Sequence, residues 1–470
     1  MEARTRRILF FIFLLIFLIL TPSVLLYSQG YRFDWKRKIL VKTGNLYLVS
    51  QPSGAFIFLD EKPYKISKLE EILFYKKILG LSRLRSTTPT LIDHLLPEKY
   101  LVTLKKENYF SWQKKVKIIP ERTIIFRDIL LFRQKPKIDF LSKVLSNSKI
   151  SHYSGKIAFL SDSKKEIFII DLENNKERKY EIKEEIKDFT WLSSGKKLII
   201  YLGGLNNFFV LDLTDNSIIN LKDFLKQKGQ IKNPKIFSEG EIFFYNKESI
   251  YKFDLLNKKL ETIYSLDSKE KKYSFLIDFI ISNNSLFYLK GKKNNFYLEG
   301  FDLEIKKNFY QFEIPLTENY RFVNWQKPIK NFIFLQDKEN LIILDKSETE
   351  IEKAIILKVR ARNFDLLGQK LIYNNEHEIS FFNLETKKKE TLERTSEEIL
   401  KVLWHPKGTH LFILFPKKIK ILEIDSREKA NYVEYNFEKV SDLIPTKIYN
   451  FIYFIGKIGE REGVFKIRIQ

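Results

Sequence analysis

Residues 8–27, ILFFIFLLIFLILTPSVLLY, are twenty consecutive positions without a charged side chain, directly after Arg4, Arg6 and Arg7. At about 1.5 Å of rise per residue such a helix covers about 30 Å, the thickness of a bilayer's hydrocarbon core. The run predicts a transmembrane helix, with Thr21 and Pro22 placed to kink it near the far end. Beyond it the period changes from helix to strand. From Thr43 apolar residues alternate at Leu46 and Leu48, then at Phe56 and Phe58, around a Pro52-Ser53-Gly54 turn in which proline presets φ and glycine permits a positive one. Alternation resumes with Tyr100, Val102 and Leu104 and continues with Trp112, Val116 and Ile118, which predicts a small all-β sandwich over 43–135. Between these stretches Leu69, Ile72, Leu73, Tyr75, Ile78 and Leu79 follow a helical face, so a helical insertion is expected at about 64–86. It reads as a helix packed on the sandwich or, given Lys65, Lys68, Lys76, Lys77, Arg83 and Arg85, as a segment resting on anionic membrane.

Past Lys135 the dominant signal is self-similarity. An apolar strand ending in Asp or Asn and a polar turn recurs at Asp171, Asp212, Asp254, Asp302, Asp345, Asn383 and Asp425, with spacings of 41, 42, 48, 43, 38 and 42. A second element precedes several of these by about 20 residues and includes Trp191, Trp325 and Trp404. A period near 42 with about four short strands per unit is that of β-propeller blades, because one small sheet cannot bury both faces alone. The last unit, FIYFIGKIGEREGVFKIRIQ, reaches Gln470 after its third strand, so a segment near Ile138 to Leu145 is expected to supply the fourth and close an eight-bladed ring, with seven blades as the alternative. One Asp per unit at the same place is expected to make an Asx-turn rather than to bind metal, and the tryptophans to pack between blades rather than to stack on carbohydrate.

Two resemblances accompany these patterns. Pro52, Ser53, Gly54 and Ala55, followed by the Thr88-Pro89 step, the Leu95-Leu96-Pro97 turn, the Tyr100 to Leu104 strand and the aromatic pair Tyr109 and Trp112, resemble the PEGA domain of bacterial and archaeal surface proteins. Ser53 stands in place of its acidic residue, Glu98 and Asn108 stand where glycine is usual, and Pro63 to Ser86 reads as an insertion. The resemblance implies a β-sandwich module on an exported protein, without established catalytic residues. The W-x-P-x-G-x-x-L pattern at Trp404, Pro406, Gly408 and Leu411 resembles propellers of the WD-like and Tol-periplasmic type, although the strict Gly-His and Trp-Asp signatures of WD repeats are missing.

The expected fold class is therefore all-β with one N-terminal transmembrane helix. The expected parts are a cytoplasmic N-terminus (1–7), a span or signal anchor (8–27), a juxtamembrane linker (28–42), the PEGA-like β-sandwich (43–135) and the β-propeller (136–470). A cleaved signal peptide is the alternative for 8–27, but the run exceeds the roughly 7–15 apolar residues of such peptides and no small-x-small site closes it. Arg32, Lys36, Arg37, Lys38 and Lys42 put more positive charge after the helix than before it. Long domains translocate largely regardless of charge, so residues 28–470 are still expected outside the cytoplasmic membrane.

Composition narrows the chemistry. Of 470 residues 44% are hydrophobic, and 41 Phe and 23 Tyr against 17 Gly and 13 Pro favour a packed strand-rich chain over disorder. With no cysteine, disulfides, thiolate metal sites and cysteine nucleophiles are excluded. The net charge of +23 is uneven: residues 1–135 carry 25 basic and 11 acidic side chains, residues 136–470 carry 57 and 48. A basic juxtamembrane region attracts anionic lipid head groups or wall polymers, or the lysine surplus serves solubility; no nucleic-acid reading motif accompanies it. His94, His152, His377, His405 and His410 make no zinc spacing, and the hydrolase-elbow, phosphate-loop and dinucleotide motifs are absent. Glu70–Glu71, Glu184–Glu185 and Glu397–Glu398 lie in polar stretches. No catalytic, cofactor or metal site is expected. The expected role is a membrane-tethered envelope binding or scaffold protein with a protein or glycan partner. The alternatives are an extracytoplasmic propeller hydrolase or lyase with a site at the central funnel, or a structural cell-surface component.

Overall fold

The computed structural model describes the chain except residues 1–2, 65–85, 145–147, 154, 193–194, 236, 238–239, 283, 315–316, 324–330, 349, 426 and 428–429. The expected insertion helix and Trp325 lie outside the described residues. Helix α1 (Ala3–Ser28) holds Pro22 inside it. Its Ile8–Ser28 portion is strongly apolar and is not covered by the rest of the fold.

The chain forms two compact units, one of residues 1–138, 421–433 and 467–470, the other of 139–420 and 434–466. In the first, residues 28–42 include an antiparallel hairpin of β1 (Tyr31–Asp34) and β2 (Ile39–Lys42). Asp34 makes the reversal, its Oδ1 accepting the Lys36 and Arg37 N–H groups at 2.9 and 3.2 Å. Two further sheets share one core. The first has β3 (Gly44–Gln51) between β6 (Thr90–Leu95) and β9 (Thr123–Leu130), and β9 runs parallel to β3. The second is ordered β5 (Lys62–Pro63), β4 (Phe56–Leu59), β7 (Lys99–Lys105) and β8 (Trp112–Lys117). Leu46, Leu48, Ile92 and Phe126 meet Ile57, Val102, Leu104 and Trp112 between them. Phe56 and Phe58 do not join this core. Ala55 and Ile57 are buried, while Phe56 is 59% exposed. In a strand a displacement of one residue exchanges the two faces, so the inward positions are the odd-numbered neighbours.

The second unit is built of four-stranded antiparallel sheets. Seven succeed one another at 150–181, 188–220, 232–265, 274–314, 321–360, 363–394 and 401–436, the last of them sending 421–433 into the first unit. An eighth combines 439–468 with strand β10 (Lys137–Lys143), which lies beside Arg461–Arg468. Inner strands are apolar on both faces, as in His410–Phe415, where every residue is buried, because each sheet is covered on both sides. Outer strands such as Lys176–Glu181, KERKYE, are charged and exposed, which keeps their open edges from pairing indiscriminately.

Consecutive sheets share cores. Ala158 and Ile169 of the first meet Phe189 and Leu198 of the second, and the same pattern links the later ones. The sixth and seventh are joined by Asp365 and Asn363, which accept the Trp404 and Val402 N–H groups, and the seventh and eighth by Lys401, 2.7 Å from Asp442. The eighth packs on the first through Tyr453, Ile455 and Val464 against Ile157, Ile170 and Leu172. A succession of small sheets that returns to its start is a β-propeller.

Candidate functional site

The motif residues of the first unit are brought together. Gln51–Pro52 and Thr88–Pro89 are both cis, and Gly54 has φ +79°. Gly54 N–H donates to the Thr88 carbonyl at 2.7 Å, Thr88 N–H to the Ala55 carbonyl at 3.0 Å, and Ala55 N–H to Thr88 Oγ1 at 3.1 Å. Ser53 contributes its carbonyl to Lys106 Nζ. Pro97 sits in the tight reversal where Glu98 N–H reaches the Leu96 carbonyl. Tyr109 bridges to Arg133, next to Asn108, whose φ of +65° is the left-handed region glycine favours. Trp112 is buried edge-on to Phe126. All of these are scaffold contacts.

So are the repeat residues. Asp171, Asp212, Asp254, Asp302, Asp345, Asn383 and Asp425 each accept, through Oδ1, the N–H of the residue two positions on, at 2.8 to 3.0 Å. The first six end their strands, and Asp425 follows two residues after Glu423 ends its own, each offering the backbone a local partner. Trp191 stacks on Tyr153 and Trp404 meets Phe381 edge-on, each contact spanning two consecutive sheets. Asp425 does more than turn the chain. Lys114, whose side chain is fully buried, lies 2.6 Å from Asp425 and 3.2 Å from Glu423. Glu423 also accepts Trp112 Nε1–H and Asn431 Nδ2–H, and Arg427 closes on Asp425 through Nε and Nη2. Burial would raise the Asp425 carboxyl, but the bonds from Arg427 and Lys114 outweigh it and hold it far below the usual range. Residues 421–433 belong to the first unit through this cluster, a partnership across about 310 positions that no local pattern announces.

His405 Nε2 faces the Tyr449 carbonyl at 3.1 Å while Nδ1 accepts Lys407 N–H at 3.2 Å, an arrangement that requires the neutral imidazole with its proton on Nε2. Burial pushes its pKa down to about 4. His410 is buried beside it, with Nδ1 2.9 Å from Thr409 Oγ1. His152 is likewise lowered, by burial and then by Lys401.

A groove of about 1050 Å³ lies between the third and fourth sheets. One wall is Glu261–Ser265 of the Lys259–Ser265 strand, the outer edge of its sheet, which pairs with Ser249–Asp254 on one side only. The other wall carries Phe301, Leu303 and Lys306 to Asn308. Beneath it runs a polar chain: Tyr264 Oη donates to Tyr288 Oη at 2.6 Å, Tyr288 Oη to Glu299 Oε2 at 2.6 Å, and Lys290 pairs with Glu299 and, at 2.9 Å, with Glu270. Burial raises Tyr264 to about 12 and Tyr288 higher, so both remain hydroxyls. Burial alone would lower Lys290, but Glu299 and Glu270 outweigh it and keep it charged. Tyr264, Tyr288 and Lys290 therefore keep their protons near neutrality and hold the chain together rather than relay protons. What the groove offers a ligand is an open strand edge, an apolar wall at Ile263, Phe301 and Leu303, and charges of both signs from Glu241, Glu261, Lys252, Lys306 and Lys307.

Sequence reasoning missed this groove. Its one signal was a Lys and a Glu inside adjacent apolar strands, LFYLK and FYLEG; the hairpin register sets Tyr288 opposite Glu299.

No protein-family model matches the chain, and no curated protein matches it in sequence. Among solved structures the chain is similar to the β-propeller domain of Myceliophteria thermophila Cps50 (Swd1), at 13% identity and a TM-score of 0.40 over 58% of this chain and 96% of that one. It is similar also to Saccharomyces cerevisiae Sqt1, at 9% identity and a TM-score of 0.43 over 68% and 95% of the two chains. With Porphyromonas gingivalis dipeptidyl peptidase 4 it shares 11% identity and a TM-score of 0.47 over 67% of this chain and 56% of that one.

Proposed function

We propose that this chain is a membrane-tethered, non-enzymatic binding or scaffold protein of the cell envelope. Residues 1–7 are cytoplasmic, α1 is a retained anchor, a PEGA-like sandwich over 43–135 forms the stalk, and an eight-bladed propeller presents its inter-sheet groove to an extended segment of a partner protein. The observation that carries the reading is α1 itself: Ile8–Ser28 is strongly apolar and none of its most apolar window is covered by the fold. Left in water, such a surface costs roughly 25 cal/mol per Å², so a hydrocarbon environment is the natural complement. The protonated Tyr264, Tyr288 and Lys290 beneath the groove, and its open strand edge, support binding over catalysis.

Protease treatment of cells carrying a C-terminal tag tests the reading. Cleavage of the tag in intact cells, with the full-length chain held in the membrane fraction until detergent is added, is expected. A tag protected until the cytoplasmic membrane is broken would reverse the topology.

A further inference from the structure

Between the end of α1 and the first core strand, the β1–β2 hairpin leaves a group of large apolar side chains in the open. Trp35 is 82% exposed, Leu40 50%, Ile39 48% and Phe33 42%. Phe33 and Leu40 are cross-strand partners, so they share a face, and the Trp35 ring packs edge-on against Phe33 at 4.8 Å. Such a cluster at the tip of a short hairpin has no core to fill. Nor is it loose, because the Asp34 carboxylate holds the turn by its two N–H bonds and by a 3.4 Å contact with Arg37 Nε.

Position decides what covers it. The hairpin begins at Tyr31, three residues after α1 ends at Ser28. If residues 8–27 fill the hydrocarbon, the next turn of chain lies within the head-group layer, which is about 5–8 Å deep on each side. Arg32 ties the two elements together: its Nη1 donates to the Tyr27 carbonyl at 3.0 Å and its guanidinium lies 3.5 Å from the centre of the Tyr27 ring. Aromatic side chains flanked by cations are the side chains that favour this layer. Lys36, Arg37 and Lys38 stand at the tip, and Arg32 and Lys42 at the base of the hairpin. The facing carboxylates are Asp34, Glu98 beside Lys36 and Glu121 beside Lys42, which leave the positive charge in excess.

Resting on the anchored reading of α1, we propose that the β1–β2 hairpin is a foot inserted into the membrane interface on the far side of the span, with Trp35, Phe33 and Leu40 at head-group depth and Lys36, Arg37 and Lys38 bound to anionic lipid phosphates. It sets the height and tilt of the first unit above the bilayer, which a single helix cannot do.

The test uses the full chain reconstituted in phosphatidylcholine vesicles with and without phosphatidylglycerol, the lipids carrying brominated acyl chains. Trp112, Trp191, Trp325 and Trp404 are common to both chains, so the difference in emission between the native chain and Trp35→Phe reports Trp35. Blue-shifted Trp35 emission, quenched by the brominated lipid and more strongly when phosphatidylglycerol is present, is expected. Replacing Lys36, Arg37 and Lys38 together by Gln is expected to abolish the preference for phosphatidylglycerol. Unquenched Trp35 emission in a chain that resists alkaline carbonate extraction overturns the foot while leaving the anchor standing, and if that emission is also shielded from aqueous acrylamide, a protein covers the tip. Equal quenching in both lipids overturns the anionic-lipid assignment. Release of the chain by carbonate overturns the anchor itself.

Discussion

Tyr453 Oη donates to the Leu172 carbonyl at 2.9 Å, joining the eighth sheet of the second unit to the turn that follows the third strand of the first sheet. Burial, with the nearby Asp171 and Glu173 carboxylates, pushes the phenol up to about 12, so it stays a donor throughout the physiological range. The bond closes the circle between segments 281 positions apart.

Tyr453→Phe keeps the ring packing and leaves a buried carbonyl without this donor. A loss of roughly 1–2 kcal/mol in unfolding free energy is expected from urea denaturation. Faster amide exchange is expected in the first and eighth sheets, and no change at the third.

Closure has a second requirement at Gly463. A methyl group there would overlap the Ser142 carbonyl on β10 and crowd the Phe140 ring at 2.9 Å. Gly463→Ala is expected to cost about 1–3 kcal/mol and to loosen the amides of 137–143 in hydrogen exchange. Gly240→Ala, where an added carbon meets nothing within 4 Å, is the neutral comparison.

The repeated aspartates separate under one substitution. Asn383 already makes the turn with an amide, so Asp171→Asn, whose carboxylate serves the turn, is expected to stay within about 0.5 kcal/mol of the native chain. Asp425→Asn keeps the turn but removes the nearer of the two carboxylates beside buried Lys114, Glu423 remaining, and roughly 2 kcal/mol is expected to be lost. Equal effects at both positions would show that the Asp425 charge contributes nothing to holding Lys114.

His405 makes stability depend on pH. Its folded pKa of about 4 lies below the ordinary 6.5, so between these values the unfolded chain takes up a proton that the folded chain refuses. The contribution is fully present above pH 6.5 and is lost as pH falls to 4, on the order of 3 kcal/mol in all. His405→Asn is expected to flatten the stability profile over that window in denaturation series at pH 7, 5.5 and 4.5. His152, also lowered by burial, keeps its own share of the slope.

Much of this architecture is visible in residue order because it is local. A charge-free run long enough to span a bilayer, an acceptor side chain two residues before the N–H it receives, and apolar runs recurring about every 42 residues are properties of neighbouring positions. In β4 alternation identifies two faces but not which one is inside, and Ala55 and Ile57, not Phe56, point to the core.

Sequence alone therefore determined the apolar span, the all-β class, the repeat and the turn chemistry of its markers, since each depends on side chains within a few positions of one another. Only the tertiary structure decided that Asp425 leaves its repeat to neutralise Lys114, that Tyr264, Tyr288, Glu299 and Lys290 form one chain beneath a groove, and that the stretch after the span is an ordered hairpin with Trp35 in the open. These follow from burial, which makes a lone charge or hydroxyl costly enough to seek partners tens or hundreds of residues away, and no periodicity in the chain encodes which partner it meets.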